Sequence, residues 1–302
     1  NYLPENHLQA KLYIYIGLWA LVCWILLAIF CTLWFIVFAA VFCWLRPKGW
    51  WSAVLLVPLL WIIMEWLRTL GEYGISGTEI GYTQVSALPL IQLAAQAGIH
   101  GITFIVVFVN ALLAGAVLVK GRQRWSMGFL AMVIIIGVYG WGAYSLETAK
   151  DIAAPVRVAV VQPNIDQSDK LNPRQFFAIT ETILGLGAEA ALGKPDITLW
   201  PETAIPNFLL SQPRLGRAPA ELVRHGRYYL LAGFPHYGGP DKVYNSAYLF
   251  SPQGKIIGRY DKRHLVPFGE YLPLRPILRP LLLGINLLDN DFNFGELSAP
   301  LP

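Results

Sequence analysis

The chain has 302 residues, of which 55% are apolar and only 14% charged, and its mean hydropathy is +0.48. Such a composition excludes a pair of water-soluble domains and requires part of the chain to lie in lipid. The formal net charge of +4, with no dense basic face, excludes a nucleic-acid partner and fits cationic loops near anionic lipid.

In chain order, no charged residue occurs from Leu12 to Leu45, a stretch that would reach roughly 50 Å as a helix. It is too long for one upright span and lacks turn residues for two, so one tilted, overlong helix is expected over 12–45. Its three cysteines, Cys23, Cys31 and Cys43, are the only ones in the chain and read as small hydrophobes in lipid. Further spans are expected over 51–67, 93–119 and 126–144, with Trp50, Trp51, Trp125 and Trp141 suited to the interfaces. The short connections "RPKGW" and "KGRQRW" are basic, whereas the longer "GEYGISGTEIGYTQ" is acidic. The positive-inside rule then puts Arg46, Lys48, Lys120, Arg122 and Arg124 in the cytoplasm, and everything after Tyr144 on the extracytoplasmic side. Within the second span, Glu65 and Arg68 share one helical face. They read as an ion pair near the interface, with a functional site as the alternative. Asn110 reads as interhelical glue.

Charge and proline return at "LETAKDIAAP", so 1–145 is read as a helical transmembrane domain, 146–155 as a linker and 156–302 as an α/β domain. There "VRVAVVQPNI" reads as an apolar strand buried on both faces. Asn172 and Pro173 open a helix whose apolar positions are Phe176, Ile179, Ile183 and Leu186. "DITLW" and "YYLLAGF" are two more strands, and "YNSAYLF" and "KIIGRYD" form a hairpin through "SPQG". The chain opens at Asn1 and closes at Pro302 in what reads as loop, so an internal fragment is expected.

The five histidines lack zinc-site spacing, and HExxH, CxxC, a P-loop, a dinucleotide fingerprint and a GxSxG elbow are all missing from the sequence. No metal and no cofactor are therefore expected. Two polar clusters follow apolar strands: "WPE", where Glu202 leaves a strand end, and "RYDKRHLVPFGEYLP", which carries Lys262 and Glu270. A carboxylate near an ammonium at strand ends can be a general base beside an oxyanion-stabilising cation, or simply two ordinary surface residues.

The strings "VAVVQPNI", "LWPETAIP", "LAGFP" and "YNSAYLFSPQGKIIGRYDKRHLVPFGEYLP" resemble the carbon-nitrogen hydrolase (nitrilase) superfamily. With "PLLWIIMEWLR", "GYTQ" and "LAAQAGIHGITFIVVFVNALLAGAV", they more narrowly resemble the apolipoprotein N-acyltransferases. The resemblance covers nearly the whole chain. It implies a helical transmembrane bundle followed by an incomplete nitrilase-like αββα sandwich, in the bacterial cytoplasmic (inner) membrane. It further implies a Glu-Lys-Cys triad, with Glu202 on the general base, Lys262 on the oxyanion-stabilising lysine and Glu270 on a supporting acid. Asn245 is expected to hold the hairpin beside the lysine in a supporting role.

The implied chemistry is ping-pong. A thiolate takes an acyl chain from a phospholipid donor as a thioester, then passes it to the α-amino group of a diacylglyceryl-lipoprotein acceptor. No cysteine follows Cys43, so the nucleophile is expected beyond Pro302 and these residues alone are expected to be inactive. Leu171 stands where many relatives carry Trp. The same base and cation would also serve a membrane-anchored amide hydrolase, in which water resolves the thioester, and a chain without its nucleophile would serve as a non-catalytic membrane scaffold.

Overall fold

The computed structural model describes residues 3–71, 74, 76–149, 154–170, 172–206, 208–212, 215–240, 242–276, 291–296 and 300–301, with side chains described from residue 15 onward except residue 16. Leu171, singled out above, lies outside the described residues. Two compact units are present, Asn1–Lys150 and Asp151–Pro302.

The first unit is helical. Its elements are α1 (Leu3–Leu45), α2 (Trp50–Arg68), the short α3 (Leu88–Ile91), α4 (Ala94–Leu118) and α5 (Arg122–Thr148). Four of them are long and apolar enough to cross a membrane. These helices bury little among themselves and leave broad apolar surfaces for lipid. Leu18, Trp24, Leu26, Ile36 and Val117 are all exposed, as are Cys23 and Cys43. A small core of Val54, Leu112, Val119, Met127 and Ala131 joins α2, α4 and α5. Gly142 of α5 lies against the Pro89 backbone, which any Cβ at that position would overlap.

Three expectations for this unit need correction. The span read over 93–119 is kinked at Gly98, whose φ of 60° and ψ of −164° are non-helical, so a short helical turn from Ala94 is followed by a separate long helix beyond it. Asn110 does not reach a neighbouring helix: its Nδ2 donates to Val106 O one turn back, at 2.8 Å. Glu65 and Arg68 form no ion pair. Glu65 is buried and accepts instead from Trp61 Nε1 at 3.0 Å and from the Ile80 backbone N–H at 2.9 Å. A backbone donor brought back by the following loop outcompetes the neighbour three residues along the helix.

The second unit is built on one five-stranded mixed sheet in the order β1 (Val158–Val160), β2 (Ile197–Leu199), β3 (Tyr229–Gly239), β4 (Lys242–Phe250) and β5 (Ile256–Asp261). The first three strands are parallel, and β3, β4 and β5 are successive antiparallel neighbours. A single turn, α6 (Gln167–Lys170), precedes α7 (Phe176–Leu192), which connects β1 to β2; α8 (Ala218–Gly226) connects β2 to β3. As the helical spacing predicts, Phe176, Ile179 and Ile183 are buried, and Asn172 Oδ1 accepts from Arg174 N at the entry turn. They pack with Val223, Trp200, Leu230, Ala232, Phe234, Tyr248 and Phe250 in one core. Strand side chains alternate in direction, so Leu230, Ala232 and Phe234 face the helices while Leu231 and Gly233 occupy the other face.

The strand expected over "VRVAVVQPNI" is shorter and more open than read. Only Val158–Val160 pair, and Val158 and Val160 are 52% and 71% exposed. The strand is the outer one of the sheet, covered by no element on its far side among the described residues. β3, in contrast, runs five residues past "YYLLAGF", from Pro235 to Gly239, and it makes a second hairpin with β4. Pro235 is tolerated because β2 pairs only as far as Leu231, so no neighbour there needs its missing N–H.

Candidate active site

Glu202 follows β2 directly. Trp200 N donates to Leu231 O at 2.9 Å and extends the strand pairing by one residue; Pro201 then ends it, and the chain turns through Thr203 at a φ of 47°. Ala204 N returns to Gly233 O at 2.9 Å, pinning the turn onto β3. Trp200 anchors it from the other side, buried edge-on against Phe234 with ring centroids 6.1 Å apart. The Glu202 side chain itself is 62% exposed, so a rigid buried base holds an open carboxylate.

Asn245 sits in β4 and Lys262 immediately after β5, linked by the Lys262 N to Asn245 O hydrogen bond at 2.8 Å. Strand alternation puts Asn245 on the face shared with Gly233, away from α7 and α8. Glu270 arrives from a loop folded on itself: Glu270 N donates to Val266 O at 2.8 Å while Val266 N donates to Glu270 Oε2 at 2.7 Å.

All four residues singled out in the sequence meet at one point. Asn245 Nδ2 donates to Glu202 Oε1 and to Glu270 Oε1, both at 2.7 Å. Lys262 Nζ donates to the same two oxygens at 2.9 and 3.0 Å. An amide and an ammonium thus bridge two carboxylates. Three of the four side chains are largely shielded: Asn245 is buried, Lys262 is 27% exposed and Glu270 13%. Glu202 Oε2 has no hydrogen-bond partner among the described residues and is the one carboxylate oxygen of the cluster left open to a reactant.

The Lys262 hydrogen bond is the main force holding the Glu202 carboxyl below its ordinary value. Burial opposes it, while the charge of Lys262, the Asn245 hydrogen bond and the more distant charge of Lys170 add to it. For Lys262, burial is the largest influence and favours the neutral amine, but the hydrogen bonds and charges of Glu202 and Glu270 together outweigh it and raise its pKa. At neutral pH the cluster holds an ionised base next to an ammonium.

Sequence reasoning did not find the segment 291–296. Phe292 N donates to Glu270 O at 2.8 Å, Gly295 N to Lys262 O at 2.9 Å, and Asn293 bonds both ways with the Val243 backbone, closing the cluster from behind. Nor did it single out Gly233, whose place under the Glu202 turn only the "LAGFP" glycine hints at. Among the described residues no group of three or more His, Cys, Asp or Glu side chains is arranged to hold a metal.

Residues 11–112 match the family described as the apolipoprotein N-acyltransferase N-terminal domain, and residues 157–287 match carbon-nitrogen hydrolase. The apolipoprotein N-acyltransferase of Geobacter metallireducens is 34% identical over 83% of this chain and 49% of its own length. That of Brucella suis biovar 1 is 38% identical over 72% and 43%. A carbon-nitrogen hydrolase of known structure from Helicobacter pylori G27 is 22% identical over 37% of this chain and 40% of its own, at a TM-score of 0.29. The chain spans about half the length of the sequence relatives it matches. With one domain match in each of its two units and relatives of one name across most of its length, the chain belongs to the apolipoprotein N-acyltransferase family.

Proposed function

We propose that the protein containing these residues moves an acyl chain from a phospholipid to the N-terminal diacylglyceryl-cysteine of a lipoprotein, through a thioester on a cysteine supplied beyond Pro302. The observation that carries this reading is the contact of Lys262 Nζ with Glu202 Oε1 at 2.9 Å, within a cluster that leaves Glu202 Oε2 open. Family membership gives that pair its chemistry.

In the first half-reaction Glu202 takes the thiol proton and the thiolate attacks the donor ester carbonyl. Lys262, held as an ammonium by two carboxylates, stabilises the resulting oxyanion. Collapse breaks the ester C–O bond, and the departing lysophospholipid alkoxide recovers the proton from Glu202. In the second half-reaction the acceptor amine attacks the thioester carbonyl. It gives its proton to Glu202 and leaves as the amide while the thiolate departs, to be reprotonated by Glu202. Glu270 and Asn245 keep base and cation in register. Both substrates are lipids, which accounts for an amidase-like unit joined to apolar helices. The basic connections at Arg46–Lys48 and Lys120–Arg124 support a bacterial cytoplasmic membrane location with the α/β unit on the extracytoplasmic face.

The test is Glu202→Gln in the complete protein, incubated with phospholipid and analysed by mass spectrometry for the acyl-enzyme. The expected result is a folded, membrane-bound protein without thioester. Near-normal acylation would remove Glu202 from the mechanism, and release of free fatty acid with no N-acylated product would identify a hydrolase instead.

A further inference from the structure

On the face of the sheet opposite the Glu202 cluster, three strands contribute to a second polar network. Ser246 of β4 is 2% exposed and donates from Oγ to Asp261 Oδ1 at 2.6 Å, while Arg259 Nη2 donates to Asp261 Oδ2 at 3.1 Å. Arg259 is held in turn from β3, where its Nη1 meets His236 Nε2. We propose that Asp261 is a positioning residue for the acyl transfer: tied to Ser246 and Arg259 behind the sheet, it fixes the strand end from which Lys262 reaches Glu202. Its part in catalysis rests on the acyl-transfer reading above.

Strand register sets the two networks back to back. Ser246 and Asp261 stand opposite each other at the rung where β5 ends. Their sequence neighbours Asn245 and Lys262 point the other way, into the Glu202 cluster, because side chains alternate along a strand. Lys262 is thus the first residue beyond β5, joined to β4 by its N–H on Asn245 O. A Cβ at Gly295 would stand 2.2 Å from Asp261 O, and Gly295 N donates to Lys262 O at 2.9 Å, so the peptide between 261 and 262 is also gripped from the side of the 291–296 segment.

A carboxylate that accepts from a buried hydroxyl and a guanidinium makes charge-assisted bonds, and at 16% exposure the Asp261 side chain is shielded from competing water. Lys262, in contrast, carries its ammonium on a flexible four-carbon stem. A fixed root narrows the arrangements of that stem towards those that bring Nζ within 2.9 and 3.0 Å of two carboxylates. A loosened root widens them.

The experiment compares Asp261→Ala, Asp261→Asn and Ser246→Ala with the unsubstituted complete protein. It follows the rate of thioester formation at saturating phospholipid, the KM and the acid limb of the pH profile, all per folded molecule. Asp261→Ala is expected to lower the rate roughly 10-fold with KM little changed, the scale of one charge-assisted hydrogen bond. The acid limb should move to higher pH by about half a unit or more, because the Lys262 contact is the main force holding the Glu202 carboxyl down. The sign is diagnostic, since loss of a nearby negative charge alone would move that limb to lower pH. The other charges around Glu202, Lys170 at longer range and Glu270 across Asn245, are left in place. Asp261→Asn keeps an acceptor for Ser246 and should restore most of the rate. Ser246→Ala removes a single oxygen, serves where Asp261→Ala does not fold, and should give the same changes at smaller size. An unchanged rate and limb would overturn the assignment. So would a lower rate with an unmoved limb, which would make Asp261 purely structural, or an Asp261→Asn protein no better than Asp261→Ala.

Thermal unfolding separates the contact from the reaction it serves. A double-mutant cycle of Glu202→Gln and Lys262→Met needs no turnover, and its coupling should fall by about half or more in the Asp261→Ala or Ser246→Ala background. That fall, with no thioester on the unsubstituted protein, would sink the acyl-transfer reading and leave the positioning role standing. Full coupling in those backgrounds would sink the positioning role alone.

Discussion

Gly233 lies so close beneath Glu202 that a Cβ built on it would stand 2.9 Å from the Glu202 Cα, 2.8 Å from Pro201 O and 2.7 Å from Thr203 N. All three contacts are with backbone, which has no rotamer to give way. The absence of a side chain at this point of β3 is therefore what lets the turn carrying the carboxylate settle onto the sheet. Gly233→Ala is expected to destabilise the α/β unit by about 1–3 kcal/mol, as overpacking does. It should also reduce acyl-enzyme formation in the complete protein by more than that loss of folded protein explains, because Glu202 moves away from Lys262. Normal turnover per folded molecule, with folding followed by thermal unfolding, would show that the turn tolerates the shift.

Among the described residues Lys262 is the single ammonium between two carboxylates whose Oε1 atoms both contact Asn245 Nδ2. Lys262→Met removes the cation and keeps the stem. In the complete protein the chemical step is expected to fall roughly 100-fold or more, the scale for losing an oxyanion donor. The loss should appear in the rate at saturating lipid. A raised KM with turnover intact would mean that Lys262 binds substrate and takes no part in the chemistry.

How much of this was legible beforehand differs between the two units. The long helices announce themselves because length and apolarity alone specify a span, and the β4–β5 hairpin because its two apolar runs flank a proline-glycine turn. Gly98 breaks α4 in a stretch that averages apolar despite Gln96 and His100, so hydropathy read over a span-length window passes across the kink. β1 looked like a central strand because Val and Ala pattern the same way at an edge. Glu202, Lys262 and Glu270 stood out through their strand ends and their motif context. The double donation by Asn245, the return of 291–296 and the approach of Gly233 are products of tertiary register, which a linear pattern does not encode. Glu65 shows the same limit: helical spacing offered Arg68 as its partner, and a backbone N–H fifteen positions away took the place.

Asn245 is buried, and its amide nitrogen serves both Glu202 and Glu270. Asn245→Ala leaves the two carboxylates with Lys262 as their shared donor. The expected outcome in the complete protein is a fall in the rate at saturation of roughly 10-fold to 100-fold with KM little changed, since charge-assisted hydrogen bonds of about 1.5–3 kcal/mol orient the base without touching lipid. Asn245→Asp should be worse, because it adds a third carboxylate to the cluster. An Asn245→Asp protein as active as the alanine variant would show that charge at this position is immaterial.

The Glu202–Lys262 pair also fixes how stability should change with pH. The carboxyl is held below its ordinary value of 4.5, so its stabilising contribution is present above that value and disappears as pH falls through the lower folded-state one. The ammonium is held above its ordinary value of 10.5, so its contribution is complete below that value and disappears as pH rises through the higher folded-state one. Between those limits the coupling should be flat. With Glu202 62% exposed, solvent screening keeps it to about 1 kcal/mol or less. A double-mutant cycle of Glu202→Gln and Lys262→Met, read by thermal unfolding of the chain in detergent, should give its largest coupling near neutral pH and a smaller one near pH 3. Coupling of equal size at both would mean that the two side chains interact through packing and not through charge.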